Sequence, residues 1–331
     1  MRWIKALITT LAVALPLTAS ALPDETSVQV PGPEGPLAGS LLTTERNAAV
    51  VIIIPGSGPT DRNGNNRQSG LTPWTYKMLA QDLAEHGIAS LRIDKRGVRA
   101  SAGAIADADQ DTIDNYATDV KAWVALLQKR LPDTPIWLLG HSEGGTVALR
   151  AAQSNSDIHG LALAAVAGRR LDAVIREQLQ QLPDYAPLVE PASALLRRLA
   201  AGEMVDNQHI PLALQPILGR EVQALLISEL ALDPLKLIAD INQPILILQG
   251  GQDLQITEAD ARLLQAGQPN AHLVMLEHAN HVLKDVPAGD RQANLAAYSN
   301  PQLPLAEGLM PALSGFILKQ QPANVLETPH P

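Results

Sequence analysis

The chain has 331 residues, 46% of them hydrophobic and only 3% aromatic, so a large core is possible but must be built mainly from Leu, Ile, Val and Ala. Its formal net charge of −9 argues against binding nucleic acid or an anionic membrane through bulk charge. It has no cysteine, which excludes disulfides, Cys-ligated zinc and a thiol nucleophile.

Residues 1–21 read as a secretory leader. Arg2 and Lys5 precede a short apolar run, Leu7 to Leu17, and Ala19-Ser20-Ala21 fits a small-x-small cleavage site. The run is short for a bilayer span, which needs about 20 apolar residues, and nothing later in the chain is long and apolar enough. Export to the periplasm or medium is therefore expected. Loss of Arg2 and Lys5 would take the net charge to −11.

A first edge strand is expected near Ser27–Val30 and a second strand over Leu37–Leu42. The run Ala48 to Ile54 is apolar throughout, as strands buried on both faces are, and ends at Pro55-Gly56. A polar loop rich in Gly and Asn follows, from Ser57 to Gly70. A helix is expected over Trp74–His86, with Tyr76, Leu79, Ala80 and Leu83 on one face and Gly87 as its stop. Ile88–Ile93 reads as a strand. Asp107-x-Asp109-x-Asp111 looks like the start of a calcium loop, but Thr112 and Thr118 stand where an EF-hand needs Gly and Glu. A solvated loop capping the next helix at Asp111 or Thr112 fits better. That helix, Thr112–Arg130, carries the stripe Ile113, Tyr116, Ala117, Val120, Val124 and Leu127.

The apolar run Pro135–Leu139 leads into Gly140-His141-Ser142-Glu143-Gly144, and Gly145–Ala152 continues as a helix. Strand, Gly-x-Ser-x-Gly turn and helix together make a nucleophile elbow. Gly140 and Gly144 lack the Cβ atoms that so tight a turn would make clash. Further strands are expected at Ile158–Val166, Pro244–Leu248 and Ala271–Leu276, and a helix at Leu305–Gln320. The alternation implies a parallel sheet wrapped on both faces. Residues 169–240 break it. They carry six prolines and no clear strand, and read as short helices inserted as a cap over the carboxyl ends of the strands. The expected organisation is thus a leader (1–21), a core (22–168 and 241–320), a cap (169–240) and a loose tail (321–331).

A serine hydroxyl needs a base within reach, and the base needs an orienting acid. After an elbow of this kind the acid comes first along the chain and the histidine second. Asp253 leaves the strand Ile245–Leu248 through Gly250-Gly251-Gln252 and is the candidate acid; Asp240 and Asp260 are poorer placed. Glu277-His278-Ala279-Asn280-His281 follows the last strand. His281 lies deeper in that loop, and Val282-Leu283 would pack the loop down, so it is favoured over His278 as base. His272, inside the strand, reads as structural. A His278-x-x-His281 metal pair has no helix and no third ligand. Oxyanion donors are expected from the backbone N–H groups of Glu143 and Ser57. No phosphate loop or dinucleotide fingerprint is present, and no cofactor or metal is expected.

Five segments carry a family resemblance: Pro55-Gly56-Ser57-Gly58-Pro59-Thr60-Asp61-Arg62-Asn63-Gly64-Asn65, Asp94-Lys95-Arg96-Gly97-Val98, Gly140 to Gly145, Gly250-Gly251-Gln252-Asp253 and Asn280-His281. On these the chain resembles the α/β-hydrolase superfamily, and within it the bacterial esterases and serine-aminopeptidase-like hydrolases, with dienelactone-hydrolase-like proteins as neighbours. The resemblance spans residues 25–320. It implies an α/β-hydrolase fold with a mostly parallel sheet of about eight strands and a Ser142–Asp253–His281 triad. Many relatives have His-Gly where this chain has Pro55-Gly56. Dienelactone hydrolases proper use a cysteine nucleophile, which this chain lacks. Asp94-Lys95-Arg96-Gly97 carries no assigned chemistry. The expected activity is hydrolysis of a small-molecule carboxylic ester through an acyl-enzyme, with an amidase or aminopeptidase on the same machinery, or a non-catalytic binding protein, as alternatives. Family membership speaks to reaction type far more than to substrate.

Overall fold

The computed structural model describes residues 24–105, 107 and 111–320. The expected leader and tail, and Asp109, lie outside the described residues. Eight strands form one sheet: β1 (Asp24–Pro31), β2 (Pro36–Thr43), β3 (Val50–Ile54), β4 (Ala89–Ile93), β5 (Ile136–His141), β6 (Gly160–Ala164), β7 (Ile245–Gly250) and β8 (His272–Leu276). Their order across the sheet is β1-β2-β4-β3-β5-β6-β7-β8. β2 is antiparallel to both its neighbours, and every pair from β4 to β8 is parallel.

All residues of β3 to β7 are buried. That is why they are mainly apolar, with both faces of a parallel sheet covered; Ser90 and Arg92 of β4, His141 of β5 and Gln249 of β7 are the buried polar exceptions. Val50, Ile52 and Ile54 face one core with α2 (Ile113–Arg130) and α3 (Glu143–Ala152); Val51 and Ile53 face the other with α1 (Thr75–Glu85) and the helix Leu309–Lys319. The edge strands differ. β1 alternates, burying Val28 and Val30, and β8 buries only Leu276.

Boundaries differ from expectation where the backbone turns left-handed. Trp74 has φ 58° and precedes α1 instead of starting it, and Ala165 at φ 53° ends β6 two residues early. Gly308 at φ 83° delays the last helix to Leu309. Thr112 caps α2, its hydroxyl accepting the Asn115 N–H at 3.1 Å.

Between β6 and β7 lie α4 (Leu171–Gln180), α5 (Val189–Ala200), α6 (Gln215–Leu218), α7 (Gln223–Leu230) and α8 (Pro234–Ala239), with no strand among the described residues. Leu179, Leu195, Leu196, Leu199, Leu214 and Leu230 make a core of their own. α8 departs from this pattern. Its Leu237 and Ile238 join the main core, so the self-contained helical layer ends before residue 234. The remaining helices are α9 (Glu258–Gly267), α10 (Arg291–Ala297) and α11 (Leu309–Lys319). Among the described residues no helix is long and apolar enough to cross a membrane.

Candidate functional site

Ser142 stands between β5 and α3 with φ 55° and ψ −126°, a strained conformation for a residue with a side chain. Such strain costs about 1–3 kcal/mol and persists only where the surroundings impose it. Here the surroundings are backbone. A Cβ on Gly140 would sit 2.5 Å from Gly145 Cα, and one on Gly144 would strike the carbonyls of Ile54 and Pro55 at the end of β3. Gly145, which the pattern did not single out, admits Val166 just as closely. The Ser142 N–H donates to Ala164 O at 2.9 Å, which ties the elbow to β6.

Asp253 and His281 come from the loops after β7 and β8. The imidazole Nδ1 pairs with Asp253 Oδ2 at 2.8 Å, and both side chains are buried. Asp253 Oδ1 accepts the N–H groups of Gln255 (2.7 Å) and Ile256 (3.0 Å), so the carboxylate is held from both sides. Gly250 and Gly251 explain the spacing. A Cβ at either would strike the carbonyl of Ala279 or Glu277, so only glycine lets the acid loop lie flat on the histidine loop. Val282 and Leu283 are buried beneath that loop, and Thr75 Oγ1 donates to Val282 O at 2.9 Å. His278 and Asp240 are exposed. Asp260 is buried but binds Arg169 and caps α9. His272 is exposed on β8 and stacks on Phe316, ring centroids 5.9 Å apart.

No hydrogen bond joins Ser142 to His281 among the described residues. Their link runs through the elbow: His141 Nε2 lies 2.8 Å from His281 O, and the two imidazole centroids are 4.9 Å apart. A carbonyl only accepts, so His141 Nε2 carries the proton and Nδ1 is the acceptor. Tyr76 therefore donates its hydroxyl to Nδ1, at 2.8 Å, while its oxygen accepts the Gly56 N–H at 3.0 Å. Burial and the neighbouring His281 lower the His141 pKa to about 4, so this ring stays neutral. Burial also raises the Tyr76 hydroxyl far above its ordinary value. Gly56, Tyr76, His141 and the His281 carbonyl thus form one directional chain that joins the loop after β3, the start of α1, the end of β5 and the loop after β8. With Nδ1 of His281 engaged by Asp253, its Nε2 is the nitrogen left for a substrate-side proton.

Ser57 and Glu143 line the same cleft as Ser142. Gly56 abuts the elbow, since a Cβ there would lie 3.3 Å from the Ser142 Cβ. The Ser57 loop is pinned by Arg62, whose guanidinium and N–H both bind Asp94 (2.6 to 3.0 Å). Lys95 Nζ donates to Gly56 O at 2.7 Å and to Glu143 Oε1 at 3.2 Å. Tyr76, His141, Asp94 and Lys95 were not picked out as site residues from the sequence. The signal available was that Asp94-Lys95 follows the carboxyl end of a strand, where α/β sheets gather ligands.

The cleft encloses about 510 Å³ between the elbow and the inserted helices. Its upper wall is apolar, with Leu171, Ile175, Leu179, Leu225 and Leu226. Glu229 of α7 is the exception. Burial, with Glu143 adding repulsion against the opposing pull of Lys95 and Thr146, raises its carboxyl pKa to about 8.

The family model of the serine aminopeptidases S33 matches residues 70–284. Esterase EstD of Thermotoga maritima is 25% identical over 242 residues, which are 70% of this chain and 54% of that protein. The chain therefore spans about half the length of that relative. Among solved structures, the Pyrococcus furiosus esterase Pf2001 superposes with a TM-score of 0.56 at 15% identity, covering 91% of this chain and 94% of that one. Est1E of Butyrivibrio proteoclasticus superposes with a TM-score of 0.55 at 19% identity, covering 89% and 98%. XC6422 of Xanthomonas campestris, an α/β serine hydrolase without lid, gives 0.52 at 18%, covering 92% and 99%. At these identities the structural likeness establishes the α/β-hydrolase fold. Because the family model takes in the elbow and both strand-end loops over well more than half the chain, this protein belongs to the serine aminopeptidase S33 family of α/β hydrolases.

Proposed function

We propose that the protein is a serine hydrolase of carboxylic esters. The observation that carries this reading is the buried Asp253–His281 pair, 2.8 Å apart and bound through the His281 carbonyl to the residue that precedes the elbow serine. His281 Nε2 takes the proton of Ser142 as its oxygen attacks the ester carbonyl. The N–H groups of Glu143 and Ser57 receive the oxyanion, and Asp253 holds the imidazole tautomer and stabilises its cation. The protonated imidazole then gives its proton to the departing alcohol. Water repeats the sequence on the acyl-enzyme and frees the acid. The similarity to Esterase EstD supports ester over amide, as does the apolar wall of the cleft, which suits an uncharged acyl or alkyl group.

Ser142→Ala should keep its fold by circular dichroism and lose roughly 10⁴-fold or more in kcat on a nitrophenyl ester. Turnover near that of the unaltered protein would refute the assignment.

One observation favours a second reading. Glu229 puts a carboxyl group in the cleft near Glu143, and an aminopeptidase needs an acidic subsite for a substrate amine. Nitrophenyl acetate against an aminoacyl nitroanilide separates the two: preference for the anilide, lost in Glu229→Gln, would favour the peptidase.

We further propose export, with the leader removed after Ala21. The reading is supported by the charged, apolar and small-residue zones of residues 1–21. N-terminal sequencing of the mature protein tests it; a sequence starting at Met1 would overturn it.

A further inference from the structure

Lys95 is a buried cation that the proposed proton transfers do not use. It follows β4, whose neighbour in the sheet is β3, so it rises beside the turn Pro55–Gly58. Its side chain is only 5% exposed. The ammonium donates to Gly56 O at 2.7 Å and to Glu143 Oε1 at 3.2 Å, and lies 5.4 Å from the Tyr116 ring centroid. Glu229 and Asp111 also act on or feel its charge.

The two partners are not arbitrary. The Gly56 carbonyl and the Ser57 N–H belong to one planar trans peptide and point in opposite directions. An ammonium fixed on that oxygen sets the plane of the peptide, aims the Ser57 N–H the other way, and polarises it into a stronger donor. The other oxyanion donor is the N–H of Glu143, the residue whose carboxylate the same ammonium holds. Peptide orientation on one loop and the first turn of α3 are thereby referred to one point charge. The Gly56 N–H is meanwhile taken by Tyr76, so both faces of this glycine are clamped.

We propose that Lys95 is a positioning residue that locks the Ser57 and Glu143 backbone donors into a single oxyanion site through the Gly56 carbonyl and the Glu143 carboxylate. This rests on the esterase reading given above. A lysine that merely neutralised buried carboxylates would support folding and leave the balance between substrate and transition-state binding alone.

The test compares Lys95→Met, Lys95→Gln and Ser142→Ala on a nitrophenyl ester. Alongside turnover, one measures inhibition by an alkyl trifluoromethyl ketone, which adds the serine to form an oxyanion, and by the matching methyl ketone, which stays a carbonyl. With Lys95→Met, kcat should fall about 10- to 100-fold while KM stays within threefold. Trifluoromethyl ketone affinity should fall in parallel, and methyl ketone affinity should hold. Lys95→Gln keeps a donor for Gly56 O without the charge and should lie between. A folded Lys95→Met with kcat within threefold of the parent, or one that raises KM alone, overturns the proposal. Should Lys95→Met fail to fold, Lys95→Gln decides by the same criteria. An active Ser142→Ala overturns the esterase reading and this inference with it, whereas an inactive Ser142→Ala beside an active Lys95→Met overturns this inference alone.

Discussion

Tyr76 holds its hydroxyl between a backbone donor, the Gly56 N–H, and a ring acceptor, His141 Nδ1. Tyr76→Phe would strand the Gly56 N–H and His141 Nδ1 together. Leaving buried polar groups unpaired costs about 1–3 kcal/mol. Urea unfolding should show a loss of that size, and kcat should drop because the Ser57 loop loses a clamp; unchanged stability would contradict the chain drawn from Gly56 to His281. Glu229 makes the opposite kind of prediction. Its folded pKa, pushed up to about 8 by burial and by Glu143, lies above an unfolded value of about 4.3. The native state therefore binds the proton more tightly. Its contribution is fully present below the unfolded pKa, declines as pH rises, and is gone above about 8. Glu229→Gln has no proton to lose. Melting curves should show it gaining on the parent between pH 5 and pH 9, and a constant difference would sink the prediction. At this scale the sequence exposes what is local. Ser142 announces itself because the glycines that permit its backbone stand two residues to either side. Asp253 and His281 are legible because each follows an apolar run and a tight loop. Tyr76, His141 and Lys95 leave no such mark, because they meet only when β4, β3 and β5 take their places in the sheet.

The elements were largely legible for one reason: strands covered on both faces are mostly apolar, as β3 and β6 are throughout. Their order was not, since parallel strands of nearly identical composition carry no address. Nor did a Gly-x-Ser-x-Gly pattern reveal Gly145, whose constraint is a side chain on another element. In α3 an alanine should be preferred to glycine by about 1 kcal/mol. At Gly145 the clash with Val166 wins. Gly145→Ala should therefore destabilise by about 1–3 kcal/mol, the cost of overpacking a core. Adding Val166→Ala should recover part of it, so a double-mutant cycle in urea should give a non-zero coupling; strict additivity would show that the contact does not matter.

Beside the elbow, the helical layer of α4 to α7 has a core of its own and lines one wall of the cleft. The break in alternation over residues 169–240 revealed the layer, but not that α8 belongs to the sheet's own core, because Pro234–Ala239 is too short to show which face it buries. The cleft was illegible too, since its wall is drawn from residues more than fifty positions apart. Its fit can be probed without touching Ser142, Asp253 or His281. Leu226→Trp should narrow the cleft and shift preference among nitrophenyl esters toward shorter acyl chains, with acetate turnover little changed. An unaltered chain-length profile would mean that substrates bind elsewhere. The layer is stitched to the core by Arg169, whose guanidinium binds Asp260 at 2.7 to 2.9 Å and also reaches Glu177.

The bond from the His141 ring to the His281 carbonyl has a consequence for how this machinery fails. On the reading proposed above, the loop that carries His281 is moored to the neighbour of Ser142, so loosening that loop should be felt at the elbow as well.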